Sequence, residues 1–503
     1  MAIIVPGSAT GPGTLVNMAE GDRVFVRDDV ELISTSGTAI QGANISQASV
    51  DVEGFVYGTW GGIELYDTGT NYLIYNVTIG QTGRVIAQNT AVNLNGNEEY
   101  SGRASITNEG TLESYGSVAV QSEDMTDFTL DNSGLIQAMS AASLGTLAVW
   151  ASRISITNSG RIVSNADNGQ AIYTSATALT GRTAGDPLTI VNSGEIIAQR
   201  QAIYSSEGTD FIDNQGYIVG DIGIGFGELT IGYNDTLINA GWITGDVMMG
   251  AGDDELIGQR GAIIGTIDAG AGDDVIKSGI EDDFIIGGEG ADEIWGGAGV
   301  DTASYEDSVD GVRVSLNAGR GWYGHAQGDA LHEIENLIGS DRQDTLIGNS
   351  AANMLEGGNA DDILSAFGGD DTLFGGNGED NILGGNGNDY ISGDRHQDRL
   401  TGGAGEDIFA FLNILDSGPA NTERDNITDF TQGQDLIDLT ELGDLFFGGT
   451  AFSGAAGEII YYHVAGGTRT VVEIDTDGDS VADFGILLSN AAHTMTAADF
   501  LFV

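Results

Sequence analysis

Residues 375–392 read GGNGEDNILGGNGNDYIS, two nine-residue units laid end to end. Each unit sets Gly-Gly-x-Gly-x-Asp before a short apolar pair. Glycine at that density raises the entropy lost on folding, so each one answers a backbone need. Aligned on the aspartate, the unit runs unbroken eight times from Gly339 to Ala410. Its sixth positions are Asp344, Asn353, Asp362, Asp371, Asp380, Asp389, Asp398 and Asp407, and its eighth are Leu346, Leu355, Leu364, Leu373, Ile382, Ile391, Leu400 and Phe409. Four contiguous units from Ala269 to Ser304 carry Asp274, Asp283, Asp292 and Asp301, and an outlying MGAGDDELI carries Asp254.

A glycine turn followed by a short strand makes half a coil, so two units close one coil. Aspartates two units apart then stack at about the 4.8 Å spacing of paired strands. Asp344, Asp362, Asp380 and Asp398 line one edge; Asp371, Asp389 and Asp407 line the other, with Asn353 in the same row. Carboxylates that close need a cation between them. With the carbonyls of the glycine turns they offer an all-oxygen shell suited to Ca²⁺, and about a dozen ions are expected. The eighth-position aliphatics point inward and fill a narrow core.

The composition agrees. The chain has 503 residues, with 79 glycines, 4 prolines, and 75 acidic side chains against 17 basic ones, a formal charge of −58. Its 41% apolar content is enough for a core, which argues against general disorder. Nucleic-acid binding needs a basic surface, and an anionic membrane repels this one. No stretch reaches the ~18 apolar residues of a membrane span, so no membrane insertion is expected. A folded chain with this charge needs cations to offset self-repulsion. Without cysteine there is no disulfide framework and no thiolate metal site. The opening MAIIVPGSATGPGTL lacks the basic region and apolar run of a cleaved signal.

The nonapeptide resembles the calcium-binding repeat of repeat-in-toxin (RTX) secreted proteins. That resemblance implies a parallel β-roll that folds when calcium binds. Residues 411–503 contain DNITDF, QDLIDL, VVEIDTDGDSVADFGILL and TAADFLFV. They resemble the C-terminal domain of proteins exported by type I secretion. This second resemblance implies an uncleaved C-terminal signal, an ABC transporter as partner, and an extracellular or cell-surface location outside a Gram-negative bacterium. Calcium, scarce inside and plentiful outside, then acts as the folding switch. At free calcium tenfold above Kd, each site contributes roughly 1.4 kcal/mol. In DTDGDSVAD, Asp475, Asp477, Asp479 and Asp483 have the spacing of a further calcium loop. DGD between two strands is also a hairpin turn, and both readings stand.

Before residue 248 a different repeat appears, Asn-x-Gly-x-Ile/Leu, with asparagines at Asn108, Asn132, Asn158, Asn192, Asn214 and Asn239. Steps of about two dozen residues suit a β-solenoid with larger coils. Asparagines stacked at a turn hydrogen-bond along the axis, a structural role preferred here over ligand binding. This half resembles the β-helical shafts of haemagglutinin-type adhesins. Ice binding would need an outward threonine ladder. The residues before the asparagines are Thr107, Asp131, Thr157, Val191, Asp213 and Ile238, which excludes it.

The expected fold is all-β: a right-handed parallel β-helix continuing into calcium-binding parallel β-rolls, with a small β-rich C-terminal cap. Residues 1–30 form an N-terminal cap or assembly segment, 31–247 the β-helix and 248–304 the first roll block. An insertion holding a strand pair follows at 305–338, then the second block at 339–410 and the C-terminal cap and secretion-signal domain at 411–503.

No catalytic constellation stands out. In HEIEN, Asn336 replaces the second histidine after His332 and Glu333, so a zinc-protease site is not expected. Arg153 and Arg161 near Trp150 are the one candidate sugar-contacting patch. The sequence therefore reads as a secreted structural protein, not an enzyme: a surface layer, matrix filament or adhesin. It would fold and self-assemble with calcium, which also bridges to anionic glycans. The alternative is a carbohydrate-active enzyme, a polysaccharide lyase or epimerase, with its site on the N-terminal β-helix.

Overall fold

The computed structural model describes residues 2–502 except 68–71, 97–101, 140–144, 168, 175–186, 206–207, 225–231, 259 and 465. Among the described residues there is no α-helix, only strands and three single-turn 3-10 segments, so no helix is long and apolar enough to cross a membrane. The chain divides into two compact units, Met1–Asp283 and Phe284–Val503.

In the first unit, short runs of alternating burial such as LTIVN at Leu188–Asn192 form strands, because alternate side chains of a strand face opposite ways. Each coil contributes strands to three parallel sheets. One sheet stacks Gly102–Asn108, the end of Val120–Asn132, the end of Leu147–Asn158, Leu188–Asn192, Phe211–Asn214 and Thr236–Asn239 in register. Its inward column of Ile106, Leu130, Ile156, Ile190, Ile212 and Leu237 is fully buried. Each of these side chains is worth about 1.5–3 kcal/mol of apolar burial.

The asparagines end these strands, and each Nδ2 donates to Oδ1 of the next. The links Asn108–Asn132 and Asn132–Asn158 are 2.7 Å, and Asn158–Asn192, Asn192–Asn214 and Asn214–Asn239 are 2.8 Å. Beside them the turn glycines stack so closely that a Cβ on Gly160 would lie 2.1 Å from the Gly134 carbonyl oxygen. Asn-x-Gly recurs because the amide satisfies the buried turn and only glycine fits the stack. The first strands, Ile3–Ile4, Ala9–Gly11 and Val16–Met18, pair with Arg23–Val26, Glu31–Ser34 and Ile40–Ala43. The segment expected as a cap thus supplies one strand to each sheet and presents exposed Ile3 and Val5.

In the second unit the coils are smaller. Leu346, Leu364, Ile382 and Leu400 stack in one column, and Leu355, Leu373, Ile391 and Phe409 in the other, all fully buried. Residues 305–338 hold an antiparallel pair, Arg313–Ser315 with Arg320–Trp322. They also supply roll strands: Ala330–His332 pairs with Glu293–Gly297, and Asn336–Ile338 lies between Thr302–Ser304 and Met354–Asn359. Past Ala410, Asp425–Ile427 and Leu436–Asp438 extend the two columns. The antiparallel strands Glu458–Val464, Arg469–Asp475 and Phe484–Leu488 follow, with Phe411 edge-on to Phe484.

Candidate metal centre

The nonapeptide turn has a fixed backbone. From Gly358 to Gly405 the second and fourth positions lie at positive φ even where the residue is not glycine. Gly376 has φ 107° and Gly378 156°, while Phe367, Ala360, Asp394 and His396 lie at 75°, 76°, 60° and 87°. A side chain costs about 1–2 kcal/mol in this conformation, which explains the glycine preference.

These turns deliver the sixth-position side chain inward. Every predicted roll residue, from Asp254 through Asp407, is at most 3% exposed, so none belongs to a solvated acidic face. On one edge the amide N–H groups of Asp344, Asp362 and Asp380 donate to Oδ1 of Asp362, Asp380 and Asp398, each at 2.7 Å. On the other, Asn353, Asp371 and Asp389 donate to Asp371, Asp389 and Asp407 at 2.7, 3.0 and 3.0 Å. One carboxylate oxygen is thereby fixed. The second, Oδ2, has no hydrogen-bond partner in Asp254, Asp362, Asp371, Asp380, Asp389, Asp398 or Asp407.

First-position glycines complete the setting. A Cβ on Gly357 would lie 2.5 Å from Asp362 Oδ2 and 2.6 Å from the Gly375 carbonyl oxygen of the next coil. Gly375 and Gly384 repeat the arrangement with Asp380 and Asp389. Each is a small cradle bounded by carboxylate and carbonyl oxygens, with an orphaned anionic oxygen aimed into it. Burying an unpaired carboxylate is costly, so the residues fit a hard divalent cation. When bound, the ion supplies the charge that makes these stacks stable. Removal from water pushes the carboxyl of Asp362 up to about 8, Asp380 to about 7, and Asp371, Asp389 and Asp407 to about 6. Asp398 rises through burial and the facing Asp425.

The ladders continue past the motif, onto residues that sequence reasoning missed. In the second unit Asp398 N–H donates to Asp425 Oδ1 (2.9 Å) and Asp407 N–H to Asp435 Oδ1 (3.2 Å). Asp292 N–H donates to Asp329 Oδ1 (3.0 Å) and Asp301 N–H to Glu335 Oε2 (2.9 Å). In the first unit, Asp210, Asp235 and Asp254 donate in turn to Asp235, Asp254 and Asp274, at 2.6, 2.7 and 2.7 Å. Burial raises Asp210 to about 7, Asp254 to about 8 and Asp274 to about 7. The signal was faint but present: GTDFI at 208–212 and NDTLI at 234–238 keep the Asp-x-aliphatic tail of the repeat, the first with a single one of the repeat's glycines before it and the second with none.

The loop at 475–483 divides. Oxygens of Asp475, Asp477 and Asp483 lie within 4.8 Å of one another, but Asp479 stays outside that group, turned to the Val481 N–H at 2.8 Å. Asp475 also accepts from Gly478 and Ser480 N–H (2.7 and 2.8 Å). Burial pushes its carboxyl up, but these backbone donors outweigh that and hold it below the ordinary value. The loop is thus a hairpin turn that also gathers three carboxylates. The sugar-patch candidates separate: Arg153 binds Asp127, while Arg161 lies past the Asn158–Gly160 turn on another sheet, bound to Glu195.

Residues 266–303 match the RTX calcium-binding nonapeptide repeat. These are RTX calcium-binding repeats. Residues 293–502 match the peptidase M10 serralysin C-terminal domain, which is associated with type I secretion, so the RTX repeats lead directly into it. Among solved structures, the AlgE6R2 subunit of the Azotobacter vinelandii mannuronan C5-epimerase is 29% identical over 30% of this chain and 92% of its own, at a TM-score of 0.22. The AlgE6R3 subunit of that enzyme is 28% identical over 31% and 80%, at 0.18. No curated protein matches this chain by sequence.

Proposed function

We propose that the protein is a secreted, calcium-folded β-solenoid with a structural role at the cell surface or in the extracellular matrix, as a surface layer, filament or adhesin. The observation that carries this reading is the pair of buried aspartate ladders with orphaned Oδ2 atoms, which are unfavourable without a cation and stable with one. Before export the ladders would hold the roll open; outside the cell, calcium would close it coil by coil. The reading includes about a dozen ions, in line with the number of ladder carboxylates. Self-association and calcium bridging to anionic glycans are the partners this role implies, with the type I ABC transporter as the export partner. The proposed role includes no catalysis.

Electron microscopy and circular dichroism of purified full-length protein, titrated from chelator to millimolar calcium, test it. Expected are a cooperative gain of β-structure followed by filaments or ordered sheets. Folding that is complete in chelator would overturn the calcium switch, and isolated particles at every calcium level would overturn the assembly role.

A further inference from the structure

The first unit carries a second organised feature, on the outward side of the sheet that ends in the asparagine turns. Here Asn76, Ser105, Thr129, Ser155 and Thr189 align one per coil, giving a straight row of hydroxyls begun by an amide. Ile74, Arg103, Asp127 and Arg153 align in the parallel row beside it. The two rows line an open groove of about 680 Å³.

The charge in this groove is unlike that of the rest of the chain. Arg103 Nε donates to Asp127 Oδ2 at 2.9 Å and Arg153 Nε to Oδ1 of the same carboxylate at 2.6 Å. Two guanidiniums on one carboxylate leave one positive charge unmatched. Each guanidinium carries five N–H donors in a rigid fork, and the side chains remain 66% and 59% exposed, so donors are left for a ligand. Half-exposed Tyr72 also hydrogen-bonds Arg103. In a chain of formal charge −58, most of the surface repels an anion, so a local positive site selects where one settles. A compact anion such as phosphate would use the arginines and leave the hydroxyl row idle. A chain bearing hydroxyls along its length and carboxylates at intervals uses both rows, against donors repeated at about 4.8 Å per coil.

We propose that this face binds a carboxylate-bearing polysaccharide, with Arg103 and Arg153 taking its carboxylates and Ser105, Thr129, Ser155 and Thr189 its hydroxyls. The site is independent of calcium bridging, because its cations are side chains.

Calorimetry at fixed calcium, using full-length protein and a short oligouronate, tests the proposal. The unsubstituted protein should bind, and the double variant Arg103→Gln/Arg153→Gln should bind about tenfold or more weakly, since charge-assisted bidentate contacts are lost. Asp127→Asn should bind several-fold more tightly, because it frees both guanidiniums; a merely structural ion pair predicts no gain. A neutral oligosaccharide of equal length should bind at least about tenfold more weakly, and inorganic phosphate should not displace the oligouronate. No binding to the unsubstituted protein overturns the proposal. So does equal binding by the double variant: with unchanged melting it assigns the interaction to calcium bridging, and with lowered melting it assigns the arginines to the fold alone.

Discussion

The amide N–H of Asp362 donates to Oδ1 of Asp380, one coil further along, at 2.7 Å. The same carboxylate keeps its Oδ2 buried and unbonded. Each ladder aspartate therefore has two separable tasks, closing a backbone bond with one oxygen and offering charge with the other.

Asp380→Asn separates those tasks. The amide oxygen still accepts from Asp362, but the charge is gone. At fixed calcium the variant should lose roughly 1.4 kcal/mol of folding stability for one lost site, and the calcium midpoint for folding, followed by circular dichroism, should rise. An unchanged midpoint would show that this position binds no ion.

Acidity acts in opposite directions with and without calcium. The folded, calcium-free carboxyls of Asp254 and Asp362 sit at about 8 and those of Asp274 and Asp380 at about 7, all raised by burial above their unfolded value of about 3.9. Their folded state binds more protons, so stability is fully present below pH ~4 and is lost as pH rises through about 6 to 8. Calcium-stripped protein should therefore hold more β-structure at pH 5 than at pH 8. Adding calcium to this acid-folded form at pH 5 in weak buffer should release protons. Proton uptake on calcium addition would contradict the assignment.

Gly384→Ala should weaken calcium binding through contact alone. Its Cβ would lie 2.2 Å from Asp389 Oδ2 and 2.6 Å from the Gly402 carbonyl oxygen, the oxygens of the cradle. Gly7→Ala, with nothing within 4 Å, is the control. Terbium luminescence competed with calcium should show a several-fold loss for the first variant and none for the second.

In the first unit, Asn158→Ala breaks two buried links at once, leaving Asn132 Nδ2 only its 3.3 Å bonds to the Gly134 and Arg161 carbonyl oxygens and Asn192 Oδ1 only the Gly194 N–H at 3.3 Å. A destabilisation of about 2–5 kcal/mol is expected by chemical denaturation. Ser133→Ala, exposed beside the same ladder, should stay within about 0.5 kcal/mol. Equal effects would remove the ladder from the account of stability.

Much of this was readable without coordinates. The nine-residue period places Asp362 over Asp380 and Leu364 over Ile382 because a turn and strand of constant length must return to the same azimuth. The asparagine column was equally legible, since Asn-x-Gly marks a turn wherever it recurs. What the period does not encode is stacking between coils of unequal length. Asp210, Asp235, Asp329, Asp425 and Asp435 join the ladders through strand register, which continues after the glycines have gone.

Charge pairing was likewise a tertiary matter. Arg103, Asp127 and Arg153 are 24 and 26 residues apart, and only coil-on-coil register puts two guanidiniums on one carboxylate. Register also carried Arg161 to a different sheet, and local turn geometry left Asp479 facing Val481 instead of Asp475. The sequence by itself determined the repeat, its inward aliphatic column and the kind of ion its oxygens suit, because those depend on local period and donor chemistry. Only the tertiary structure decided how far the ladders extend and which charges meet, because neighbours across coils are chosen by strand pairing and not by distance along the chain.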